Sequence, residues 1–349
     1  MALAICLLAL LAAFLPMPDI WVERIYSQNL YPLMQRSVTS LSNSVPFAVF
    51  DLLFVSILMA FVVVVTRILR TSEQVGRFRR ARLIVSRTSV VISLTYIIFL
   101  LAWGLNYRRV PLREKLDFDA SRVTPQTLES LAVVAADELN ALYPIASEQG
   151  WPPLSALPDN LGPAFQITQR TLGSESTVIV GRPKHSILTT YFNWSAIDGM
   201  LNPLSLEVLV NDNILPFERS SVIAHEWAHL AGYADESEAS FVGWLTCLQG
   251  SISSQYSGWL MIYAHVSRQL PRESLARIRS SLSEGPREHL KAITFRLNRS
   301  IPNIRLVSRR VYDRFLKANR VKDGIESYDG VVTLVIGTRF EANWLPIVM

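Results

Sequence analysis

Residues 225–240 read HEWAHLAGYADESEAS. On a helix, side chains four apart share a face, so His225 and His229 can turn imidazole nitrogens toward one ion. Glu226, one residue along, can hold a water against that ion. Zinc suits such a set. It brings the pKa of a bound water toward neutrality and polarises a carbonyl, while the glutamate takes the proton as the water attacks. The chain has five histidines, so a chance H-E-x-x-H is on the order of one in a few hundred. Val222, Ile223, Trp227 and Leu230 make the same helix strongly apolar, and unpaired imidazoles or a carboxylate buried there would be costly. A metal removes that cost. Gly232 closes the helix.

Two histidines leave the site one ligand short, and Asp235, Glu236 and Glu238 follow. H-E-x-x-H-x-x-G-x-x-D, ending at Asp235, resembles the metzincin layout with Asp in place of its third histidine. Glu238 instead resembles the gluzincin arrangement, in which a second helix contributes a carboxylate. The local code separates them. Asp235 with Glu238 three residues later reads as a helix start, with Asp as N-cap pointing at backbone amides. Glu238 lies at helical spacing from Phe241, Val242 and Leu245, on the face expected to pack inward, where a carboxylate needs a cation. Glu236 projects about 160° away around the helix and reads as a solvated acid. The expected zinc ligands are therefore His225, His229 and Glu238, with Glu226 as general base. Asp235 is the alternative third ligand, and Glu238 could instead complete a capping box.

The rest of the chain bears on where such a site would sit. Half of the 349 residues are hydrophobic and 18% are charged, too apolar for an ordinary soluble enzyme. The excess lies near the N-terminus. Helices are expected over about 2–22, 45–66 and 86–106, each close to the roughly 20 residues that cross a bilayer. Residues 2–15 alone are short for a span and could be the apolar region of a signal peptide, but lack a basic leader and a cleavage site. Between the second and third helices, the loop 67–87 carries seven arginines against Glu73. Arginine-rich short loops stay in the cytoplasm, so everything after about residue 106 should lie outside the cytoplasmic membrane. The net charge of +5 is mostly this loop, which argues against a nucleic-acid site. Cys6 and Cys247 sit in different environments and should not pair.

From residue 107 to 349 the composition is that of one globular domain. VTPQTLESLAVVAADELNALYP predicts a helix with Thr124 as N-cap, Pro125 at its first position and Pro144 as its stop. Strands are expected near 176–181 and over 206–211. The second of these, LEVLVN, is well placed as an edge strand that could pair with an extended peptide. Residues 241–263 are apolar, but GSISSQYSG interrupts them and predicts two packed helices rather than a span. The expected fold is mainly α (α+β): transmembrane helices in 1–106, then a zincin-like, mostly helical domain with a small β-sheet.

Scattered stretches give a closer resemblance. WGLNYRRVPLREKL (103–116), GMLNPLSLEVLVN (199–211), HEWAHLAGYADESEASFVGWL (225–245), YSGWLM (256–261) and VYDRFLKANRVKDGIESYDGVV (311–332) together resemble a bacterial family of membrane-anchored zinc metallopeptidases, gluzincin-like and of no known substrate. The gap from His229 to Glu238 is much shorter than in better-known gluzincins. The resemblance implies zinc-dependent hydrolysis of envelope peptides or proteins by a multi-pass protein whose catalytic domain faces outward, its only other expected partner being the lipid bilayer. Tyr191, Asn211, Tyr256 and Tyr328 are candidate donors to a transition state. An intramembrane protease fits less well, because Glu218, Arg219, Asp235 and Glu236 bracket the motif. The competing class is a zinc-stabilised binding or assembly protein without turnover. A purely structural site would have no use for Glu226.

Overall fold

A computed structural model of the chain describes residues 2–70 and 77–349. Helix α1 (Ala2–Phe14) stops just short of Pro16 and Pro18, and the chain turns by 106°. Prolines lack an N–H and push the preceding residue out of the helical region, so two of them so close together break the helix. The path resumes as α2 (Asp19–Trp21), a π-helical stretch (Val22–Leu30) and α3 (Tyr31–Asn43). The expected helix over 2–22 is therefore cut short, and the chain beyond the bend joins the following domain. Val22, Tyr26 and Tyr31 are buried in the main core. Glu23 pairs with Arg109 at 3.0 Å and with Lys115, and the Tyr31 hydroxyl donates to the Leu230 carbonyl at 2.7 Å.

Two further helices, α4 (Val49–Arg70) and α5 (Arg77–Ala102), contain segments long and apolar enough to cross a membrane: Val49–Arg67 and Arg82–Ala102. Almost nothing of either is covered by protein, the condition expected of lipid-facing helices. Residues 71–76 of the expected basic loop lie outside the described residues. The remainder of that loop is helical, because α4 and α5 run on through its arginines.

In the domain, α6 (Pro125–Gln149) starts at Thr124, whose hydroxyl accepts the Thr127 N–H. It passes through Pro144 and ends at Gly150. Leu142 and Ala146, either side of the proline, are buried, so packing carries the helix past one missing N–H. After α7 (Leu157–Thr171) the expected strand at 176–181 does not form. Its backbone is bonded by side chains instead. Gln169 Oε1 accepts the Val178 N–H at 2.8 Å, and Gln35 both accepts the Ile179 N–H and donates to its carbonyl. The sheet begins at β1 (Pro183–Lys184) and, after α8 (Thr189–Ser195), continues with β2 (Gly199–Asn202) and β3 (Glu207–Val210). Its order is β1-β3-β2, with β1 parallel and β2 antiparallel to β3. The LEVLVN strand is thus central and fully buried, not an edge. The edge beside the histidine helix is β2.

β3 also fixes one of the two long apolar helices. Buried Glu207 accepts the N–H groups of Val49 at 3.0 Å and Phe50 at 2.6 Å, capping α4, and is itself held by Lys184 at 2.9 Å. The chain continues as α9 (Arg219–Leu230), α10 (Glu236–Leu248), α11 (Ile252–Ser267), α12 (Arg272–Ser281), α13 (Glu284–Asn298), α14 (Pro302–Ala318) and α15 (Gly330–Gly337). Helix α9 lies between the sheet and α10, and Trp227, Trp244, Trp259, Phe165 and Phe241 fill the core around them. The architecture is mostly helical with a small three-stranded sheet, as expected, and 241–263 is two helices joined by a short turn.

Candidate metal centre

Helix α9 brings His225 and His229 together, with ring centroids 4.6 Å apart. It ends where expected. Gly232 takes φ +82°, and a Cβ there would lie 2.7 Å from Asn106 Oδ1, so both the turn and the close approach require glycine. Each imidazole is oriented through Nδ1: that of His229 lies 2.8 Å from the Tyr233 carbonyl, and that of His225 lies 3.2 Å from Ser240 Oγ. This leaves both Nε2 atoms facing the same side. Trp103, the residue after the apolar segment of α5, donates its indole N–H to the His229 carbonyl at 2.9 Å.

The chain reverses through Tyr233 and Ala234 to Asp235, which caps α10 by accepting the N–H groups of Ser237 and Glu238. That much agrees with the local code. The third acid at the imidazoles, however, is Glu236 and not Glu238. Glu236 Oε2 lies 3.2 Å from Nε2 of His225 and 3.2 Å from Nε2 of His229. The Glu238 carboxylate points elsewhere, accepting the Leu112 N–H at 2.6 Å near Arg109 and Lys115. The expectation failed because it assumed that α10 has a solvated face. It has none in its first three turns: from Glu236 to Cys247 every residue is buried except Ser237. A helix covered on all sides gives no inward direction from its apolar spacing.

Electrostatics follow this geometry. Burial opposes ionisation of Glu236, but the charge on His229 and hydrogen bonds from both histidines hold its carboxyl well below the usual range. Burial lowers His229, yet Glu236 more than compensates and raises it to about 9, while burial keeps His225 below its ordinary value. Glu238, buried beside Asp235, is pushed up to about 7. Glu226 is pushed up to about 8 by burial, against the pull of His229. It lies against β2, where a Cβ on Gly199 would come within 2.7 Å of Glu226 Oε1. Among the described residues Glu226 Oε2 has no hydrogen-bond partner.

Of the candidate donors, only Tyr328 is at the centre. Its ring stacks on His225, centroids 6.2 Å apart, and burial together with the Glu236 charge raises its pKa well above the usual phenol value. Tyr191 bonds Ser308, Tyr256 bonds His289, and Asn211 bonds the Ile197 carbonyl. Tyr312, which spacing did not single out, donates its hydroxyl to Glu236 Oε1. No local pattern could have found it, since α14 lies far along the chain.

Do these residues fit a metal? Ligands about 2.0–2.1 Å from a tetrahedral zinc stand roughly 3.3 Å from one another, and the two Nε2–Oε2 separations are both 3.2 Å. His225, His229 and Glu236 form the one such cluster of three or more ligating side chains among the described residues. Imidazoles held at Nδ1 and a carboxylate held by the Tyr312 hydroxyl make the outer shell that metal ligands commonly have. The donor set fits a zinc-type ion.

A family model described as "Protein of unknown function (DUF3810)" matches residues 26–336, and the chain belongs to that family. The match takes in both long apolar helices and the whole His225–Glu236 cluster. No curated protein and no solved structure matches the chain.

Proposed function

We propose that this chain is a membrane-anchored zinc metallopeptidase, with His225, His229 and Glu236 as metal ligands and Glu226 as general base. The observation that carries this reading is the pair of 3.2 Å separations from Glu236 Oε2 to the two Nε2 atoms, beside a buried glutamate with one oxygen that has no partner among the described residues. A bound zinc ion would supply Lewis acidity, acidifying water and polarising the scissile carbonyl. Glu226 takes the proton from the attacking water and returns it to the departing amine. One of its oxygens has no partner among the described residues and is left open to take that proton. The free edge of β2, next to Glu226, can hold an extended substrate by backbone pairing. Tyr312 keeps Glu236 oriented, and Tyr328 packs its ring on His225. The arginine-rich segment between the two long apolar helices favours a cytoplasmic loop and a domain facing outward.

A second reading is a zinc-stabilised binding protein without turnover. It is favoured by the cover over the site, since Tyr312 and Tyr328 close over Glu236 and the His225 side chain is only 18% exposed. Glu226 decides between them. Purified Glu226→Gln should keep its full zinc content while losing peptide hydrolysis by about 100-fold or more, the usual share of a general base. Hydrolysis retained in that variant would refute the assigned role.

A further inference from the structure

Helix α14 shows an unusual outer face. Val307 and Val311 are 57% and 62% exposed, and Phe315, one turn further, is also exposed. Residues four apart share a face, so these three form one apolar stripe. Arg310, Arg314 and Lys317, all exposed, line its edge. The opposite side of the helix is occupied: Tyr312 reaches Glu236, and Leu316 is fully buried.

Both ends of α14 are tied to ends of the apolar helices. At its C-terminal end Phe315 packs on Phe99, inside the apolar segment of α5, with ring centroids 6.0 Å apart. Just beyond the helix, Arg320 donates to the Ala13 carbonyl in the last turn of α1. At its N-terminal end the Ile301 N–H donates to the carbonyl of Trp194 in α8. Helix α8 follows Ser186 and Ile187, which donate to Asp51 in the first turn of α4. Trp194 and Tyr191 of α8 are exposed too, and Tyr191 bonds Ser308. A helix of 17 residues, about 25 Å long, is therefore fixed at the level where the apolar helices meet the domain.

We infer that the outer face of α14, with α8 beside it, is a membrane-surface element whose apolar stripe enters the headgroup boundary and whose arginines bind anionic phospholipid. A water-facing helix has no reason to place such a stripe at this level. Helices of this composition lie in the interface plane with their apolar face about 5–10 Å deep, and each arginine there gains from anionic lipid. Tyr and Trp beside the stripe are the aromatic residues expected at that depth. The inference rests on α4 and α5 crossing the bilayer but not on the metal. Because α14 also delivers Tyr312 to Glu236, the cover of the site rests on the membrane.

The test uses the full chain, with Cys6→Ser, reconstituted in vesicles of phosphatidylcholine with or without phosphatidylglycerol. A bimane label is attached at Val307→Cys, Val311→Cys or, as a reference within α4, Ile57→Cys. Buried Cys247 stays unlabelled. Lipid carrying a nitroxide near the top of its acyl chain should remove more than half of the emission at 307 and 311, more strongly with phosphatidylglycerol, and aqueous iodide should quench them weakly. Strong iodide quenching with no lipid quenching at both sites would overturn the inference. So would protection from both quenchers, which would mean that a second protein copy covers the face. If Ile57 also escapes quenching by lipid carrying the nitroxide deep in its acyl chain, the spanning reading of α4 falls. If only 307 and 311 escape, that reading stands and the surface assignment alone fails.

Discussion

Glu236 and Glu238 are both buried acids at the start of one helix, and exchanging their roles is the sharpest test of the metal centre. In Glu236→Gln the side chain keeps its shape, and its carbonyl can still accept from Tyr312. It loses the anionic oxygen that stands 3.2 Å from both imidazoles. Removing a partner outside the ligand shell commonly costs 10–100-fold in metal affinity, so loss of a ligand should cost at least about 100-fold. In Glu238→Ala the loss is of another kind. The Leu112 N–H, now bonded at 2.6 Å, is left buried without an acceptor. That costs about 1–3 kcal/mol, which for a domain of this order lowers the melting temperature by roughly 2–4 °C per kcal/mol. The two variants should therefore separate cleanly. After purification in detergent and dialysis against a weak chelator, elemental analysis should find zinc in wild type and in Glu238→Ala but not in Glu236→Gln. Thermal melts with metal removed should show Glu238→Ala as the less stable of the two. Zinc retained by Glu236→Gln and lost from Glu238→Ala would refute the ligand set and reinstate the one read from helical spacing.

Two other outcomes check the framework around the site. A reporter fused after residue 110 should be active only if it is exported, and activity in the cytoplasm would reverse the proposed orientation of the domain. Glu23 gives a pH signature: burial opposes its charge, but Arg109 and Lys115 hold its pKa down from 4.5 to about 2. A carboxyl lowered on folding stabilises above its unfolded pKa and loses that contribution as pH falls through its folded one, here about 3 kcal/mol lost between pH 4.5 and 2. Glu23→Gln should thus be less stable than wild type at pH 7, and the difference should close by pH 2. A difference that does not change with pH would sink the ion-pair account.

The identity of the histidine helix, its stop at Gly232, the capping role of Asp235 and the two long apolar helices were legible in the chain itself. Each depends on neighbours within a few residues: a four-residue repeat, a side chain reaching its own backbone, or a run of apolar residues. The tertiary structure decided what depends on the surroundings. Helical spacing offered Glu236 and Glu238 as opposite faces, but only the packing of α7, α9, α11, α15 and the Gly324–Asp329 turn around α10 shows that neither face is wet and which acid meets the imidazoles. Tyr312 and Tyr328 arrive from more than 70 residues away. The chain's apolar stretches likewise did not reveal that it bends after Phe14, or that the segment from Asp19 belongs to the core through Tyr31 and Glu23. Composition measures how apolar a helix is. Whether lipid, protein or water covers it is settled by what the rest of the fold brings against it.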